Sequence, residues 1–242
     1  MKLYSFLFSI SIIFSCFAFL CSCNENNIIA ASTAKNKTSL LKSPDTMINK
    51  VMPDSIRPQV TKALTFFPQL DGYKITFKFK DSIRKSTMQA QPKFSSIFKK
   101  KKNREYVILI SKKIQIEDES YSIFDMEDSV MIGWIGHELG HIMDYKDRSA
   151  LGMIALGVKY LFSNQYIQRV EREADRYAVR HGMADYILKT KDFILNHSDI
   201  SPVYKARIKR LYLSPEEIMK MVNQLEKEEI ERDVDEELDK KR

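Results

Sequence analysis

The chain has 242 residues, 39 of them Lys or Arg and 32 Asp or Glu, for a formal net charge of +7. All 3 cysteines, Cys16, Cys21 and Cys23, lie at its start, which excludes a disulfide framework and leaves the remainder no thiolate for metal binding or catalysis. About 200 residues follow, enough for one domain with a real core and no more than two.

Residues 1–22 carry one basic residue, Lys2, then an apolar stretch from Leu3 through Leu20, which reads as an export signal rather than as part of the fold. The stretch ends in Leu20-Cys21-Ser22-Cys23, and a small residue before a cysteine resembles a bacterial lipoprotein signal with Cys23 as the lipidated N-terminus. An uncleaved membrane anchor is the alternative. Both readings place an exported domain in the bacterial cell envelope, periplasmic or surface-exposed, held at a membrane. Residues 23–44, rich in Asn, Ser and Thr, make a flexible tether, and 45–242 form a single domain.

Pro53 and Pro58 predict a broken helix over 45–67. From Tyr73, the alternation of Tyr73, Ile75, Phe77 and Phe79 with Lys74, Thr76, Lys78 and Lys80 predicts a half-buried strand. Residues 72–113 hold 13 Lys or Arg against only Asp81 and Glu105. Within them, Lys99-Lys100-Lys101-Lys102 with Arg104 fits an anionic membrane surface, or equally a solvated hairpin loop whose charges guard a sheet edge. Nucleic acid is a poor partner for an exported protein. Glu105 to Ile116 predicts a second strand, and the edge at 105–112 is the candidate for pairing with an extended peptide.

After about Asp125 the pattern is helical, so the fold class is α+β, a small sheet followed by helices. The first helix runs from about Asp125 to about Asp147, with Asp125 and Asp128 at cap spacing. Residues 150–163 are almost wholly apolar but too few to span a bilayer; they read as a buried helix, or as a segment that dips into the membrane or lids a cleft. A second site helix has Ile167, Val170, Ala174 and Ala178 as its apolar stripe. Pro202 and Ser214-Pro215-Glu216-Glu217 mark further helix starts. The last helix, from about 214, holds 11 acids against 6 bases and is expected to fray.

The chemistry is concentrated in the helix from about Asp125 and in the second site helix. His137-Glu138-Leu139-Gly140-His141 sets two of only 4 histidines one turn apart, so both imidazoles can reach one metal while Glu138 stands beside it as a base. Thirty residues on, Glu171 and Asp175 repeat that spacing about 40° apart on their helix, whereas Glu173 points about 200° away from Glu171. Alone, such an acidic pair fits a solvated rim; beside the histidines, it offers one carboxylate to the metal and one to a ligating histidine.

HELGH followed by E-x-x-A-D resembles the gluzincin metallopeptidases, in particular the family containing the CAAX prenyl endopeptidases, the heat-shock membrane proteases and their soluble or lipid-anchored periplasmic relatives. The resemblance covers about residues 130–180. It implies a zincin-like catalytic domain with one Zn2+ on His137, His141 and Glu171, Glu138 as general base, and Asp175 as the carboxylate behind a ligand. Membrane members have spanning helices around the motif, and here there is none beyond the N-terminus, so a soluble domain held at a membrane fits better. The expected activity is zinc-dependent cleavage of peptide bonds in exported or envelope proteins. His181, Tyr177 and Tyr145 are candidate donors to the oxyanion. The rival from another class is a non-proteolytic zinc-binding lipoprotein acting as chaperone or assembly factor, although a binding-only site needs no base between its histidines. An amidase acting on cell-wall peptides is a third reading.

Overall fold

The computed structural model describes residues 48–83, 86–116, 119–197 and 200–240. The export signal, Cys23 and the tether lie outside the described residues. Residues Ser43–Arg242 form one compact unit of mixed α and β structure, with a small sheet followed by a helical part.

The sheet comprises β1 (Lys50–Val51), β2 (Lys74–Lys80), β3 (Met88–Pro92) and β4 (Glu105–Ser111), in the order β1-β2-β4-β3. Strands β1, β2 and β4 run parallel, and β3 is antiparallel to β4. Alternation buries Ile75 and Phe77 of β2 and Tyr106, Ile108 and Ile110 of β4, and the register sets Ile75 beside Tyr106 and Phe77 beside Ile108. Helix α1 (Arg57–Leu64) and helix α2 (Asp128–Asp147) pack on each other, and α2 also meets β3.

Several expectations change here. The helix expected over 45–67 shrinks to α1, with β1 before it, because Pro58 occupies the second helical position, where no amide bond is needed, and so starts the helix instead of breaking it. The strand expected over 105–116 is two: Ser111 Oγ donates to the Lys113 carbonyl at 2.5 Å and bends the chain, after which β5 (Lys113–Ile116) pairs with β6 (Glu119–Ser122) in a separate hairpin. In the strand order β4 lies inside the sheet, between β2 and β3, so it is not the edge expected at 105–112; the edges are β1 and β3. Helix α2 starts later than Asp125, which sits in the preceding 3-10 turn. Glu127 takes the cap position without capping, its carboxylate accepting instead from the Ser129 hydroxyl at 2.5 Å.

Helix α2 is buried almost continuously from Val130 to Met143, as befits a helix apolar on all sides. Around it lie α3 (Ala150–Phe162), α4 (Asn164–Arg180), α5 (Ala184–Asn196), α6 (Pro202–Leu211) and α7 (Pro215–Lys240). Serines start four of them: Ser149, Ser163 and Ser201 accept from the amides of Gly152, Tyr166 and Tyr204. At α7, Ser214 and Glu217 form a reciprocal capping box with bonds of 2.9 and 3.2 Å. Helix α4 ends at Gly182, whose φ of 83° lets the Met183 amide reach back to the Ala178 carbonyl at 3.0 Å. Helix α7 continues to Lys240.

Glycines set how closely α2 meets its neighbours. A β-carbon at Gly140 would stand 2.4 Å from the Ala174 carbonyl oxygen of α4, and one at Gly133 would stand 2.3 Å from the Tyr186 carbonyl oxygen of α5. The apolar helix α3 buries only Met153 and Leu156, so the buried helix expected over 150–163 is covered on one side alone. No helix among the described residues is long and apolar enough to cross a membrane.

Candidate metal centre

Because Gly140 lets α4 approach α2 at van der Waals distance, Glu171 comes to rest over the two histidines. Its Oε2 lies 3.2 Å from His137 Nε2 and 3.4 Å from His141 Nε2, and the imidazole centroids are 4.7 Å apart, edge to face. Ligands about 2.0–2.1 Å from one ion at tetrahedral angles stand ~3.4 Å from each other, so these separations fit three donors around a single centre with one position left over. All three residues are buried, and the group can hold a metal ion.

The charges of the centre are mutually dependent. Burial opposes a charge on His137, but Asp175 and Glu171 outweigh it and raise the imidazole well above its usual range. Burial likewise favours a neutral Glu171, but His141 and His137 hold its carboxyl well below the usual range. Without an ion, a proton does the work of balancing these carboxylates.

A second layer fixes the first. Asp175 lies 2.9 Å from His137 Nδ1, and accepts from Lys191 Nζ at 2.9 Å and from the Leu213 amide at 3.0 Å. In the neutral ring, the proton shared with Asp175 sits on Nδ1, which turns the Nε2 lone pair toward Glu171. Burial would raise the Asp175 carboxyl, yet Lys191 and His137 hold it at about 2. The Tyr160 hydroxyl donates to Glu171 Oε1 at 2.6 Å. Tyr212 lies against His137 with centroids 5.3 Å apart, and the Lys191 ammonium sits 4.4 Å above the Tyr212 ring. His141 has no such hydrogen-bonded support, since its Nδ1 is buried without a partner among the described residues; its ring instead stacks on Tyr145 at 5.8 Å and 16°.

Glu138 is buried beside this group, and its Oε2 accepts from the Ala90 amide at 2.5 Å. The pairing explains why that amide is available: the Thr87 carbonyl accepts from the Ser111 amide and the Lys93 amide donates to the Glu105 carbonyl, and with a period of two the Met88 and Ala90 amides turn to the outer edge of β3. Burial raises the Glu138 carboxyl, with the two histidines pulling it partly back. Next to it is a cavity of about 30 Å³ lined by Ser86, Thr87, Met88, Trp134 and Tyr204.

The structure thus brings together His137, Glu138, His141, Glu171 and Asp175. Glu173 points elsewhere, to Arg176 at 3.1 Å. Of the proposed oxyanion donors, Tyr145 lies at the site, and burial keeps its hydroxyl protonated. Tyr177 is two residues past Asp175 and so about 200° around α4, and His181 stacks on Phe67 while bonding the Tyr177 carbonyl. Lys191, Tyr160, Tyr212 and Ala90 had no signature in the sequence: each comes from an element of its own with no spacing that ties it to the histidines. No family model matches the chain, and no curated protein or solved structure matches it either.

Proposed function

We propose that the chain is a zinc-dependent endopeptidase with a zincin-like catalytic domain, held at a membrane of the bacterial envelope through Cys23. The observation that carries this reading is the position of Glu138: a buried carboxylate between two convergent histidines, bonded to an outward amide of an open sheet edge. Zinc on His137, His141 and Glu171 would lower the pKa of a water toward about 7 and polarise a peptide carbonyl. The chain's own residues do the rest. An extended peptide pairs with the free edge of β3 and takes the Ala90 amide, which releases Glu138 to accept the proton of the attacking water and pass it to the leaving amine. Asp175 steadies His137 through the change, and Tyr145, stacked on His141, is the candidate donor to the developing oxyanion.

One observation favours the binding-only reading: His137, Glu138 and His141 are each under 8% exposed, so the site is closed without a peptide. A peptide library incubated with zinc-loaded protein decides between the two. Wild type is expected to cleave, and Glu138→Gln is expected to keep stoichiometric zinc while turnover falls ~10²–10⁴-fold. No cleavage by zinc-loaded wild type, or equal cleavage by the variant, would sink the enzyme reading.

A further inference from the structure

A carboxylate has two oxygens to offer a metal, and the number it gives decides how many positions remain for anything else. At Glu171 the two oxygens have different occupations. Oε2 faces the imidazoles, 3.2 Å from His137 Nε2 and 3.4 Å from His141 Nε2. Oε1 accepts from the Tyr160 hydroxyl at 2.6 Å, within the ~2.5–2.7 Å of an O–H donor on a charged carboxylate. Glu171 is buried, so the bond has the strength of one in a medium of low dielectric.

The local fold places Tyr160 for this task. Met153, Leu156 and Tyr160 follow at i, i+3 and i+7, which sets the tyrosine on the inward face of α3. Three residues later Ser163 ends α3, its amide donating to the Lys159 carbonyl at 2.9 Å, and also starts α4, its hydroxyl accepting from the Tyr166 amide at 3.1 Å. A connection of one residue leaves the two helices little freedom, and Glu171 stands about two turns into α4.

A carboxylate free to turn can chelate an ion through both oxygens. With two imidazoles it would then fill four positions, the full set of a closed tetrahedral site. We propose that Tyr160 is a positioning residue that holds Glu171 to one metal-facing oxygen, Oε2, and so reserves the remaining position for an exchangeable ligand. The proposal rests on the ligand set His137, His141 and Glu171, and it is read without any peptide cleavage. In the plainer alternative the Tyr160 hydroxyl only satisfies itself on a nearby acceptor, and its loss costs stability and nothing else.

The test uses the full chain loaded with Co2+, whose visible absorption reports its donors, and azide, a small anion that binds where a position is open. Azide is expected to shift the wild-type spectrum. In Tyr160→Phe, which keeps the ring and removes the donor, metal is expected to remain stoichiometric at saturating Co2+ while azide affinity falls at least ~10-fold, as befits the loss of a hydrogen bond to a charged group. Tyr166→Phe, which removes a tyrosine hydroxyl from α4 outside the ligand set, is expected to bind azide as wild type does. X-ray absorption of the zinc-loaded wild type gives a reading that needs no variant to fold. A shell that stays at four donors when azide binds means that azide has replaced a solvent ligand and supports the proposal; five donors would mean that both oxygens of Glu171 are bound and would overturn it. Unchanged azide affinity in Tyr160→Phe, or loss of metal from the folded variant, also overturns it. The readings fail separately: wild type that takes up no stoichiometric metal refutes the ligand set, whereas metal uptake without cleavage refutes the peptidase alone.

Discussion

Glu171 and Glu173 differ by two positions and by the direction in which their helix turns them. Glu171 faces His137 and His141, and Glu173 faces Arg176. Glu171→Ala is therefore expected to abolish stoichiometric metal and Glu173→Ala to leave it near wild type, while Asp175→Asn weakens affinity ~10–100-fold. Metal titration of the three variants checks this, and a benign Glu171→Ala would refute the ligand set. The buried Lys191–Asp175 pair gives a second expectation. Removing one member of a buried pair strands the other, so Lys191→Met should cost about 3–5 kcal/mol in urea unfolding. The folded Asp175 carboxyl is held at about 2, below its unfolded value of about 3.9. Its contribution is complete above about pH 4 and is lost as pH falls toward 2. The metal-free wild type should lose stability over that interval by more than the variant does. The grouping of His137, Glu138, His141 and Glu171 was legible because helical geometry converts a spacing of four into a shared face. Lys191 was not legible, because its partner comes from another helix, and a lone lysine beside Phe193 and Ile194 reads as an ordinary amphipathic residue.

At the scale of elements, β2 and α2 follow from their patterns, whereas β3 does not. Met88-Gln89-Ala90-Gln91-Pro92 has no β-branched residue and alternates only a short run of Met, Ala and Pro with glutamines, and Pro92 argues against a central strand. It pairs on one side only, as an edge tolerates, and what recruits it is the finished face of β4. The start of α2 was misplaced because acidic residues favour a helix N-terminus over several positions, while the turn at Ile123–Asp125 decides which is used. The α2–α4 contact yields a prediction of its own. A methyl group at Gly140 would meet backbone, which cannot rotate away as a side chain can, so Gly140→Ala should destabilise the protein by about 1–3 kcal/mol or more. Because Glu171 sits one turn from Ala174, the same change should weaken metal binding. Calorimetry with metal titration checks both, and an unchanged affinity in a folded variant would show that the helices can separate without disturbing the ligands.

Across the whole molecule, charge is divided: base dominates 72–113 and acid dominates the last helix. That division was visible in the sequence, but the bonds by which Lys101 and Arg104 reach the backbone carbonyls of Asp147 and Arg148 were not, since backbone acceptors carry no residue signature. If Cys23 carries the anchor, Cys23→Ser should abolish incorporation of labelled fatty acid, and persistent labelling would refute the lipoprotein reading. The Leu213 amide and the Tyr212 ring have a different significance. They complete the support of His137 from a point more than seventy residues further along the chain. A polypeptide emerging from a ribosome or a translocation channel therefore carries both histidines and Glu138 long before it can hold them in place. The group that can hold a metal is completed only when the C-terminal third has been delivered and has folded back, so chain order delays its assembly.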